Sequence, residues 1–145
     1  MAPRNRLRRW QRLLCDAAGG VLLASGLVWL VVHYAWGAGA GELPHALEPW
    51  MMKLHGLAAM AALFAFGSLA TGHVPHGLRV TQGRRGRRQR LLGLWLGALA
   101  MLLVGSGYLL YYFTPEDWRA GLGGAHSVIG IAMALLLVWH RQRRS

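Results

Sequence analysis

Acidic side chains are scarce in this chain: five among 145 residues, against 16 lysines and arginines. None lies deep inside a long apolar run, so a carboxylate-based proton or cation path through a membrane has little support. Cysteine occurs once, at Cys15, which excludes an internal disulfide and the CxxCH attachment of a c-type haem. Charged residues make up only 14% of the chain, where a soluble domain carries roughly 25%. What is present instead is hydrophobic: 54% of the residues.

The apolar residues fall into four blocks almost free of charge, at about 13–36, 50–73, 91–113 and 121–140. About 20 helical residues cross a hydrocarbon layer of roughly 30 Å, and each block reaches that length. The expected fold is an all-α integral membrane protein, a four-helix transmembrane bundle over 13–140. A basic tail at 1–12 precedes it and another at 141–145 follows.

A net charge of +11 raises the question of nucleic acid, and the positions of the charges answer it. Arg4, Arg6, Arg8, Arg9 and Arg12 precede the first block. Arg79, Arg84, Arg85, Arg87, Arg88 and Arg90 occupy the second loop, and Arg141, Arg143 and Arg144 follow the last block. Fourteen of the 16 basic residues thus share one side of a four-span topology. Lys53 and Arg119 fall on the other, with Glu42, Glu48, Glu116 and Asp117. This is the positive-inside pattern: it places both termini in the cytoplasm and needs no nucleic-acid partner. Trp10, Trp36, Trp50, Trp118 and Trp139 sit at block ends, where interfacial anchoring accounts for them. The first block is longer than a signal-peptide core, so it is expected to stay as an uncleaved helix.

Helix one is expected to break at GAGAGELP and helix two before Pro75. Thr114, followed by Pro115, Glu116 and Asp117, reads as an N-cap that could open a short surface helix. Gly93 and Gly97 form a GxxxG, a weak packing signal.

Seven histidines occur, five of them in or at the ends of the apolar blocks: His33, His55, His73, His126 and His140. Ionisable groups at membrane depth are rare and point to function. His55 and His73 are 18 residues apart, five whole turns, so they share one helical stripe about 27 Å long. His126 and His140 are 14 apart, within about 40° of a common stripe. Both helices run inward, so His55 pairs in depth with His126, and His73 with His140. Two opposed imidazole pairs across a membrane are what two bis-histidine haems need.

Ala59, Ala62 and Phe66 lie on the first stripe, and Gly130, Met133 and Leu137 on the second; the alanines and the glycine leave room for a flat macrocycle, while the bulkier residues can fill the gap between two haems. The two spacings differ by four residues, about 6 Å of rise, which helix tilt can absorb in part. His33 is a further candidate ligand. The bland alternative is that these histidines hydrogen-bond to backbone or water near the headgroups. Zinc would need a closed ligand cluster, and none is visible.

At LHG (54–56), GHV (72–74), GYLLYY (107–112) and AHSVIG (125–130) the chain resembles bacterial four-helix di-haem membrane cytochromes b, of the cytochrome b561 type. The likeness is nearest to short bacterial proteins of that group. It implies b-type haem, two per chain, held by His55, His73, His126 and His140, and electron transfer within or across the bacterial inner membrane. Lys53, Arg79 and Arg119 then become propionate partners by charge and depth. The 18-residue spacing departs from the shorter interval common in di-haem helices, which leaves the pairing open.

The expected function is an electron carrier drawing on quinol or a redox partner protein, with His45, Glu48 and Trp50 as candidates for a quinone site. The rival is a haem-free accessory or scaffold subunit that meets a larger membrane complex through glycine and alanine faces.

Overall fold

The computed structural model describes residues 8–71, 75, 79 and 87–142, the side chain of Arg141 excepted. His73, the GHV motif and most of the arginine-rich loop and basic tails lie outside the described residues. Four long helices follow one another: α1 Arg9–Trp36, α2 Leu47–Thr71, α3 Arg87–Tyr112 and α4 Glu116–Gln142. Among the described residues there is no strand. All four helices are long and apolar enough to cross a membrane.

All four helices begin before the apolar blocks do, at Arg9, Leu47, Arg87 and Glu116. Hydropathy marks what lipid accepts, whereas the backbone ladder continues wherever propensity allows. Arginine and glutamate are good helix formers, so the polar flanks stay helical.

Thr114 does not cap α4. Its hydroxyl donates backwards to the Leu109 carbonyl at 2.8 Å, and the Phe113 and Thr114 N–H groups reach the same oxygen. The last carbonyls of α3 have no partner within their own helix, and this one takes three donors instead. Pro115 lacks an N–H that would need a cap, and its carbonyl accepts the Trp118 N–H at 3.1 Å. The segment expected to form a separate surface helix is therefore the first turn of α4.

The chain divides into two units, Met1–His76 and Gly77–Ser145, each holding one helical hairpin. In the first, α1 leaves its helix at Gly37, makes a 3-10 turn over Ala38–Ala40, and reverses at Gly41. Gly41 has φ +84°, a conformation that a Cβ would strain. The buried residues of α1 are Ala18, Ser25 and Val32, spaced by sevens, and Ala58 and Ala65 of α2 repeat that interval. A seven-residue repeat keeps one seam turned toward the partner helix, and small residues bring the backbones close.

Along this seam three polar contacts fix the register. At one end the Gln11 amide faces Ser68, with Nε2 at 3.4 Å from Oγ. Ser25 meets His55 further along, and His33 meets Glu48 beside the turn.

Ala65 is 2% exposed, so Ala65→Leu overfills the seam and should cost about 1–3 kcal/mol. Leu57 is 67% exposed, and Leu57→Ala should stay within about 0.5 kcal/mol of the parent. Graded denaturation in mixed micelles measures both. Equal effects would place the seam elsewhere.

In the second unit Ala100 is buried, and Leu103 packs over Gly130. Ser106 meets His126, and the rings of Tyr108, Tyr112 and Phe113 cluster at the end of α3. Met60, Phe64, Trp95 and Leu135 are largely exposed. Lipid tails are as apolar as leucine, so an exterior of this kind suits a bilayer.

Candidate functional site

Each hairpin contains the same contact. Ser25 of α1 places its Oγ 3.0 Å from Nδ1 of His55 on α2. Ser106 of α3 places its Oγ 2.8 Å from Nδ1 of His126 on α4. In both cases a glycine follows the serine and lies against the imidazole. A Cβ on Gly26 would stand 3.5 Å from Cε1 of His55, and one on Gly107 at the same distance from Cε1 of His126. The space between each ring and the facing helix would thus admit one further carbon at ordinary van der Waals distance.

The serines also bond within their own helices. Ser25 Oγ is 2.6 Å from the Val21 carbonyl oxygen, and Ser106 Oγ is 2.7 Å from that of Leu102. Contacts this short between two oxygens require the hydroxyl proton to lie between them. Each hydroxyl has one proton, so toward the imidazole the serine can only accept. Nδ1 of His55 and of His126 is therefore the nitrogen that donates to the serine, and a neutral ring held this way has its lone pair on Nε2. Neutral imidazole with its second nitrogen donating to a fixed acceptor is the usual state of a metal-ligating histidine.

The other candidate residues are placed differently. His140 is half-buried near the end of α4. Lys53 lies over the Trp50 ring, 4.7 Å from its centroid. Arg119 donates to the Thr114 carbonyl at 3.2 Å, and Arg79 is exposed.

His33 belongs to a second cluster at the α1–α2 turn. Its ring stacks on Trp29 with centroids 4.4 Å apart, and its Nδ1 is 2.8 Å from Oε2 of Glu48. The other carboxylate oxygen of Glu48 accepts from the His45 N–H at 2.9 Å and the Ala38 N–H at 3.4 Å. His45 Nδ1 in turn accepts from the Leu47 N–H. Two glycines make this possible: a Cβ on Gly37 would occupy the place of the carboxylate, and one on Gly39 would press on the His33 ring at 2.8 Å. Glu48 thus ties together the end of α1, the turn and the start of α2.

The structure brings His33, His45 and Glu48 into one network, which reading the residues singly had kept apart. It adds Ser25 and Ser106, which sequence reasoning missed. A signal for the serines was present: a Ser-Gly pair inside an apolar run, twice, each time in the helix before a histidine-bearing one. Glu48 had no such signal, because its partners are set by the path of the turn. Among the described residues no three histidine, cysteine or acidic side chains converge as a metal cluster. Compared with known proteins, the chain matches no family model, no curated protein and no solved structure.

Proposed function

We propose that this protein is a small b-type cytochrome of four transmembrane helices, packed as a bundle, which carries electrons within or across a bacterial inner membrane. The observation that supports the reading most is the state of His55 and His126. Each presents Nδ1 to a hydroxyl that can only accept, the arrangement in which a neutral imidazole keeps its lone pair on Nε2. That is the donor that haem iron takes axially. The pairing read from the sequence is kept: His55 with His126 for one haem, His73 with His140 for the other.

Haem, when bound, would supply a one-electron couple whose potential follows from its axial ligands, burial and nearby charge. The protein's own part is to present the imidazoles in one tautomer and keep water away with apolar helices. Lys53 and Arg119 supply positive charge near helix ends. Both termini are assigned to the cytoplasm, since 14 of 16 basic residues fall on that side of a four-pass chain. Electrons would come from a quinol or a redox partner protein. His33 is left out of the ligand set, because its ring stacks on Trp29 and its Nε2 edge is turned against the backbone of the turn at Gly39.

The test is spectroscopic. The intact protein, purified in detergent from cells with ample haem, should give a b-type spectrum that sharpens on dithionite reduction, at about two haems per chain. One haem per chain would leave His55 and His126 as the pair. Folded protein without haem would reject the cytochrome and favour the accessory subunit.

A further inference from the structure

We propose that Ser25 and Ser106 are positioning residues, each holding the ligating imidazole of its own hairpin as the Nδ1–H tautomer. The role rests on the reading of His55 and His126 as haem ligands, and the observations behind it are separate from that reading. Two serines, 20 and 30 residues before their histidines, make the same pair of bonds in two different hairpins. In each, the carbonyl one turn back takes the hydroxyl proton, and the imidazole Nδ1 takes the remaining acceptor. A serine beside a histidine could otherwise act as donor or acceptor. Here the backbone removes that freedom and makes the hydroxyl an acceptor only.

The choice of a hydroxyl has a chemical consequence. A hydrogen bond accepted from Nδ1–H increases the electron donation of Nε2 and stabilises the oxidised iron. A carboxylate would do so more strongly, and the chain has that arrangement at His33 and Glu48. Serine is the milder acceptor: it orients the ring and fixes its proton without pulling it toward the imidazolate. Loss of the hydroxyl should therefore loosen haem and raise the potential.

The variants are Ser25→Ala and Ser106→Ala, with Ser25→Thr as the version that keeps a hydroxyl able to bond the preceding turn. Gly26→Ala is the packing control, because its added Cβ would stand at an ordinary 3.5 Å from the ring. Three readouts apply to the intact chain. Imidazole nitrogen shifts, measured by NMR, should show the Nδ1–H tautomer at His55 and His126 in the parent. Each alanine variant should lose that preference at its own histidine only.

Haem dissociation should speed up by about 10–100-fold in either alanine variant, as outer-shell changes at metal sites do. The midpoint potential of the affected haem should rise, and Ser25→Thr should restore all three properties. Gly26→Ala should leave them unchanged. Parent-like tautomer, dissociation and potential in Ser25→Ala and Ser106→Ala would overturn the proposal. If the parent binds no haem, the cytochrome reading fails, yet the nitrogen shifts still decide whether the serines hold the tautomer.

Discussion

Alanine at His55 should cut the haem of the purified protein from about two per chain to about one, and alanine at His126 should do the same. Both histidines are assigned to one iron, so losing either leaves a half-filled axial set within an apolar site. The double variant should be no worse than either single one, because residues acting on one group are not additive. The remaining haem should keep its bis-histidine spectrum. Alanine at His33 should leave haem content at the parent value, since that ring is stacked on Trp29 and its Nε2 edge is turned against Gly39. Haem quantified per chain, together with the reduced spectrum, measures all four variants. Full haem occupancy in His55→Ala, with an unaltered spectrum, would remove His55 from the ligand set and the proposed pairing with it.

The second large effect concerns Glu48, and it is structural rather than chemical. Its carboxylate accepts from His33 on one oxygen and from the His45 and Ala38 N–H groups on the other. Alanine removes three acceptor contacts at once and leaves the turn only its own backbone bonds. The thermal midpoint in detergent should fall by about 5 °C or more, the scale expected for losing such a cap. Amide exchange at Ala38 and His45 should rise by about tenfold or more.

Glutamine at Glu48 keeps a carbonyl oxygen for the two backbone donors but offers an amide group toward His33, so its loss should be smaller. Gly37→Ala should resemble Glu48→Ala, because the new Cβ would take the carboxylate's place. Haem content should stay at the parent value in all three, since His55 is held by Ser25 and not by this network. A thermal midpoint unchanged in Glu48→Ala would show that water serves the turn equally well.

Much of the helical layout was legible because crossing lipid demands runs of about 20 apolar residues, and such runs are hard to hide. The charge-free apolar run places a helix over 91–113, although the helix starts four residues earlier, at Arg87. Rotational register was less legible. A soluble helix announces its inner face by a polar outer one, but a helix in lipid is apolar all round. Ala59, Ala62 and Phe66, placed with His55 on one stripe by periodicity, are indeed half-buried, as are Gly130, Met133 and Leu137 with His126.

Ser25 was passed over because a small hydroxyl in an apolar run normally satisfies itself on the preceding turn, and it does so here at 2.6 Å. The second bond, to His55, depends on how α1 faces α2. The Thr114 misreading has a similar origin: a capping pattern can serve the helix behind it as well as the one ahead.

Each serine–histidine contact closes within a single hairpin, between two helices that are neighbours in sequence. This bears on biogenesis. Helices entering a bilayer become stable individually and then associate, and neighbours in the chain meet first. His55 can acquire its orientation once α2 has followed α1 into the membrane, and His126 once α4 has followed α3. Ring alignment is therefore completed locally, within each hairpin. On the proposed reading, haem would then meet imidazoles already set within each hairpin.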